Sequence, residues 1–378
     1  MSLTIEQILS TPRAITNEPA QWSPDGTSVL FVSSISGKPI LSLVNASTGD
    51  TPLRIDLGER PSMGAPRIPL WSPSGSFISF VAQIQGKDEV WLWQPPTAIT
   101  SSDDLAMDSL DGRSAFQASN LGGKIHSMNW SSDGKHIAVS CNTYGSYQIY
   151  LIEIPSGKTV CLTTGPLYSV NPVFTPDNKH LLCVELDEKW ENHDIVKLSL
   201  EEPGHTVILS DYDFFDYSHG KTFGYPSISR DSSTVLFRSQ RSGFANLWTV
   251  KLNGGEPKHL CEAAIEQENG SWSPTSDQIV FTSNKNGTVT LSLYSGDIPV
   301  DLLSFDTGIC VNPQWSPDGQ HILFGYGTPT SPIDLWTISI ASQECRQLTN
   351  SEAFPNSAQH LIAPEKIYYP TFDSLSIP

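Results

Sequence analysis

Residues Gln21–Ser33 read QWSPDGTSVLFVS, and Gln314–Tyr326 read QWSPDGQHILFGY. The shared phrase has a mechanical meaning. Proline presets φ at the second turn position, aspartate closes the turn with its side chain, and glycine accepts a strained φ. The tryptophan before the turn ends one strand. The apolar run after it, SVLFVS or HILFGY, starts the next. Weaker copies lie between the two: WSPSG at Trp71, WSSDG at Trp130, FTPDN at Phe174, ISRDS at Ile228 and WSPTS at Trp272. With Trp22 and Trp315 these make seven anchors, 43 to 59 residues apart, a period suited to four-stranded propeller blades.

Most units continue with a third strand, such as VWLW (Val90–Trp93), QIYLIEI, DIVKLSL, NLWTVKL and DLWTISI. A fourth closes the unit, as in KTVCLTT and CRQLTN. Each unit therefore reads as four antiparallel strands, a to d, with the WSPDG turn joining a to b. One such sheet cannot cover both of its faces, whereas sheets stacked around an axis can. The expected fold is all-β: a seven-bladed β-propeller of four-stranded antiparallel blades. No strand is left over to complete a shared blade, so closure is expected from packing of blade 1 on blade 7. The expected organisation is an N-terminal segment with a short helix over 1–16, the propeller over 17–350 and a linker-like tail over 351–378. The insertion Gln94–Gln117 is expected between strands c and d of blade 2.

Composition narrows the function. The chain of 378 residues carries a formal charge of −18 and no Lys/Arg cluster, so no nucleic-acid partner is expected. It has no apolar run long enough to cross a bilayer, and its start lacks the pattern of a secretory signal. The expectation is a cytoplasmic protein with no membrane contact. Its six cysteines include no CxxC pair and read as buried thiols. His136, His180 and His321 share one slot after the turn, on different blades, so they cannot converge on a metal. No metal site and no cofactor are expected.

The repeated phrase resembles the propeller repeats of TolB and of the prolyl oligopeptidase family of serine peptidases. Two further stretches resemble acylaminoacyl-peptidase-like members: LTIEQILSTPRA at the start, and PEKIYYPTFDSLSIP, Pro364–Pro378, which is similar to the linker into their hydrolase domain. That linker usually reads FDG; here it is Phe372-Asp373-Ser374. The resemblance implies a propeller that gates a peptidase active site. No G-x-S-x-G nucleophile elbow occurs in the sequence. The expectation is thus a propeller of peptidase descent without the catalytic α/β-hydrolase domain, a binding or gating module whose partner is an α/β-hydrolase subunit, a peptide or a small apolar ligand.

Strand parity places the d-to-a and b-to-c connections on one face, the face that meets the hydrolase in the relatives. The connection after blade 4, SDYDFFDYSHGKTFGYP, carries Tyr212, Phe214, Phe215 and Tyr217. Exposing so many aromatic rings forfeits apolar burial, so an aromatic wall over the channel mouth is one reading and a loop folded on its own blade the other. Arg67, Tyr168, Trp190, Arg241 and Phe244 are expected on the same face as ligand-binding residues, with Tyr144 and Glu266 nearby. His219 and Asp216 form the single local acid–base pair. A second reading follows: a non-hydrolytic enzyme, of isomerase, cyclase or lyase type, acting on a small apolar molecule.

Overall fold

The computed structural model describes the chain apart from residues 1–17, 35–37, 50–51, 56, 58–63, 96–114, 190–192, 203, 212–225, 304, 352–361, 366, 371, 373–375 and 378. The expected N-terminal helix lies outside the described residues. Everything that is regular among the rest is strand.

Five separate four-stranded sheets cover residues 21–54, 67–117, 125–161, 168–211 and 227–259, each in the order a-b-c-d. Two further meanders, 267–303 and 309–347, share one larger sheet because Val289 pairs in parallel with Ile309. Strand a of each unit ends on its anchor aromatic, or on Ile228 in the fifth. His136, His180 and His321 each open a strand b, as their shared slot requires. Phe116–Gln117 forms strand d of the second unit, so the insertion between strands c and d is shorter than the expected 94–117. Cys141, Cys183 and Cys310 are buried, but Cys161 and Cys345 are exposed on strands d, which corrects the reading of all six as buried.

Side chains alternate along strand b, so each sheet has two apolar faces. Leu30 and Val32 of blade 1 pack with Phe80 and Trp91 of blade 2. Val81 and Val90 of blade 2 then meet Ile137 and Val139 of blade 3. Ala138 and Ile149 meet Cys183 and Val196; Leu182 and Ile195 meet Val235 and Phe237; Leu236 and Leu247 meet Ile279 and Phe281. Val280 and Leu291 meet Ile322 and Phe324. Finally Leu323, Leu335 and Leu348 of the last unit meet Val29, Phe31 and Val44 of the first. The residue nine after each anchor (Phe31, Phe80, Val139, Cys183, Phe237, Phe281 or Phe324) always faces the preceding unit. For Phe31 that preceding unit is the last one.

The indole N–H of three anchors repeats the pattern, while those of Trp71 and Trp272 make no hydrogen bond among the described residues. Trp130 Nε1 donates to Ser79 Oγ at 2.8 Å and Trp315 Nε1 to Ser271 O at 3.0 Å, each one unit back. Trp22 Nε1 donates to Gln314 O at 3.4 Å, across the join. Among the described residues, no strand from one end of the chain enters the sheet at the other, and packing joins the two ends.

The WSPDG turn has a hub that the sequence reading passed over, the buried hydroxyl after the aromatic. Ser316 Oγ donates to Asp318 Oδ1 at 2.5 Å and accepts from His321 N at 2.9 Å; Asp318 Oδ1 also accepts from Gln320 N. Ser131 with Asp133 and Thr175 with Asp177 repeat this arrangement. The hydroxyl bond is the main influence holding Asp133, Asp177 and Asp318 below the ordinary carboxylate range, and it holds Asp231 down to about 2. At Asp25 burial is the largest influence and acts upward, yet the bonds from Ser23 and Thr27 together outweigh it.

A folded-state value below the unfolded one gives stability that is present above the unfolded value and lost as pH falls through the folded one. Melting temperature should therefore drop between about pH 4 and about pH 2. Asp318→Asn should melt lower than wild type at pH 7, with the gap closing at pH 2. Circular dichroism melts across that range check this, and a gap independent of pH would contradict it.

Candidate functional site

Strand a forms one edge of every four-stranded meander, and strands a of neighbouring units approach one another at five of the joins, the arrangement in which they line the axis. In four of them the strand bulges three residues before the anchor, and that residue takes left-handed φ: Ile68 at 50°, Asn171 at 54°, Asn269 at 55° and Asn312 at 50°. Asparagine tolerates this region, whereas a β-branched residue there is a steric outlier. The bulge turns backbone N–H groups toward the preceding unit. Asn171 N donates to Ser127 Oγ at 3.0 Å, and Ile68 N to Glu18 Oε2 at 3.0 Å.

The strained Ile68 sits beside Arg67, the first residue of its strand. Arg67 Nη2 reaches Asp88 Oδ2 at 2.6 Å. Asp88 is 1% exposed and also accepts from Ile125 N at 3.0 Å, while Lys124 Nζ stands 3.6 Å from its other oxygen. Next to this ion cluster lies a row of rings. His126 meets Tyr147 edge-on at 5.5 Å, and Tyr147 tilts against Tyr168 at 6.3 Å. Burial is the main influence raising the Tyr147 hydroxyl above its ordinary value, with Asp88 adding to it and Arg67 opposing. Burial also lowers the His126 imidazole, which favours its neutral form.

The structure thus brings Arg67 and Tyr168 to one place, through Asp88, Lys124, His126 and Tyr147, which the sequence reading did not name. Arg241 lies apart from them. Its guanidinium covers Trp248 at 5.4 Å, and Trp248 stacks on His259 at 4.3 Å, on strands c and d of blade 5. Glu266 accepts from Ala245 N at 3.1 Å and pairs with Arg238, which also meets Glu268 at 3.0 Å. Tyr144 and Phe244 are exposed on b-to-c connections. Trp190, Tyr212, Phe214, Phe215, Asp216, Tyr217 and His219 lie outside the described residues. Among the described residues, no group of His, Cys, Asp or Glu could hold a metal ion.

A further device holds this face in shape. At the head of strand c, Glu89 accepts from Ser119 Oγ at 2.6 Å and from Leu121 N and Gly122 N at 2.9 Å each. Asp334 does the same for Thr349 Oγ1, Ser351 Oγ and Ser351 N. These buried carboxylates satisfy the segment that follows strand d, which would otherwise leave donors unpaired. The connection latched by Glu89 leads directly into Lys124 and Ile125.

Left-handed φ costs Ile68 backbone energy, so replacing it with the asparagine found in its sister positions should be cheap. Ile68→Asn is expected to cost under about 1 kcal/mol. Ile137→Asn, in the same apolar cluster, should cost more than about 3 kcal/mol. Urea unfolding of both variants measures the difference, and equal losses would remove the case for strain.

Residues 148–333 match the family described as the dipeptidyl peptidase IV (DPP IV) N-terminal region. The acylaminoacyl peptidase of Pyrococcus horikoshii superposes with a TM-score of 0.68 at 13% identity, over 100% of this chain and 58% of that one. The β-propeller domain of the Trilobed protease from Pyrococcus furiosus superposes with a TM-score of 0.62 at 14% identity, covering 91% of this chain and 98% of that domain. The fold is a β-propeller similar to those of prolyl oligopeptidase-type peptidases. The Tol-Pal system protein TolB of Francisella tularensis is 25% identical over 169 residues, 43% of this chain and 36% of TolB. The chain spans little more than half the length of the archaeal acylaminoacyl peptidase.

Proposed function

We propose that this propeller is a gating module for an α/β-hydrolase, supplied by the same polypeptide or by another. The catalytic domain would dock on the face of the d-to-a connections and reach peptides through the mouth lined by Arg67, Tyr147 and Tyr168. One observation carries this reading. The segment that resembles a linker pairs Tyr369–Pro370 with Ser376–Ile377, and large apolar side chains among its described residues stand in water. Ile367 is 66% exposed, Tyr368 57% and Phe372 fully so. Large apolar groups clustered in solvent mark an interaction surface. The descent of the propeller supports a hydrolase as what covers them.

The test is co-purification of this chain with any α/β-hydrolase encoded beside it or joined to it. A stoichiometric complex is expected, lost in Phe372→Asp/Tyr368→Asp, with small peptides cleaved by the complex and not by the propeller. A hydrolase that ignores this chain, or a complex indifferent to the two substitutions, would overturn the reading.

A further inference from the structure

The geometry points to a carboxylate-binding site at the mouth, formed by Arg67 and Lys124 with the rings of Tyr147 and Tyr168 beside them, fitted to a small acid with an apolar or aromatic body, such as the C-terminal residue of a peptide. The inference rests on reading this face as the mouth, and it adds the chemical class of what enters.

Three observations carry it. The first is donor capacity. A guanidinium offers five N–H donors in a fixed fork matched to a carboxylate. Arg67 gives Asp88 a single Nη2 contact, and its side chain is 31% exposed. Lys124 gives one bond to Gly86 O at 2.9 Å, stays 3.6 Å from Asp88, and is 47% exposed. Two cations therefore share one buried carboxylate and keep donors for another. Two nearby carboxylates are turned onto backbone N–H groups: Glu18 onto Ile68, Glu89 onto Leu121 and Gly122.

The second observation is the backbone. Ile68, next to Arg67, holds left-handed φ at 50° with a β-branched side chain, where the equivalent bulges of three other units use asparagine. Strain of this kind persists where surrounding structure enforces it, and it gathers at ligand sites. Here it fixes the direction in which the strand presents Arg67.

The third is the wall. Tyr147 and Tyr168 lie against each other at 6.3 Å, and Tyr147 feels the charges of both Arg67 and Asp88. An apolar body packed on these rings would have its acid group within reach of the guanidinium. Half-buried rings beside a cationic fork suit an amphiphilic anion better than an inorganic one.

The test compares N-acetyl-phenylalanine with its primary amide by isothermal titration calorimetry on the full chain. The acid should bind about tenfold or more tightly than the amide. Lys124→Met, at an exposed position, should weaken the acid about threefold and leave the amide unchanged. Arg67→Lys keeps a cation for Asp88 and should abolish most of the discrimination, and Tyr168→Ala should weaken both ligands. Equal affinity for acid and amide, or no binding of either, would overturn the proposal. A hydrolase complex that fails to form while the acid still binds would count against gating and leave the carboxylate site standing.

Discussion

Phe31→Ala should lower the unfolding free energy by about 3–5 kcal/mol, the usual loss for a phenylalanine removed from a packed core. Phe31 is wholly buried, in one cluster with Leu323, Leu335 and Leu348 from the other end of the chain. Its slot is the one from which Phe80, Phe281 and Phe324 face their preceding blades. Phe281→Ala should cost a similar amount, because the two interfaces are built alike. The locations of the damage should differ. Hydrogen exchange should quicken in both the first and the last blade for Phe31→Ala, and in blades 5 and 6 for Phe281→Ala. No strand knits the ends of the described chain together, so this apolar contact and the Trp22 indole bond carry the join. A loss below about 1 kcal/mol at Phe31 would mean the ends are not packed as described.

The second large effect is expected at Glu89. This carboxylate is buried and accepts from one hydroxyl and two backbone N–H groups. Glu89→Ala strands those donors, and each unsatisfied buried donor costs about 1–3 kcal/mol. A total of about 3–5 kcal/mol is the expected outcome in urea unfolding. Glu89→Gln keeps one acceptor oxygen and should lose roughly half as much. Because the latched connection runs into Lys124 and Ile125, Glu89→Ala should also loosen the contacts to Asp88, read as faster exchange at the Ile125 amide. Protection there equal to wild type would show that the latch and the mouth are independent.

The blades were legible because each repeats one turn and one alternating run. Trp22, Ser23, Asp25 and Gly26 each have a local job, and the job recurs wherever the letters do. The role of the serine was harder to see, since a small polar residue after tryptophan looks like any turn residue. Only the pairing of Ser316 with both Asp318 and the amide of His321 reveals it as the hub. The latches were missed for a different reason. Glu89 and Asp334 sit about 30 and 15 residues from the groups they hold, and such distances carry no local pattern.

The candidate site was legible only in part. Parity assigns Arg67 and Tyr168 to one face, and the structure places them in one cluster. Parity says which face a loop joins, but not which way its side chains turn. Arg241 accordingly goes to Trp248 on the outer strands of its own blade. Tyr147 and His126 were overlooked because each occupies an ordinary strand position. Their roles come from meeting each other across one blade, from strand a to strand c, and meeting Tyr168 on the next.

The ring itself is the claim on which the proposed mouth and the proposed gating depend. A double-mutant cycle between Phe31→Leu and Leu335→Val, measured by urea unfolding, tests it in solution. Residues in contact couple by about 0.5 kcal/mol or more, whereas separated sites add within about 0.3–0.5 kcal/mol. The packed ring predicts coupling of at least about 0.5 kcal/mol between these positions, at opposite ends of the sequence. Strict additivity would mean that the first and last blades do not touch.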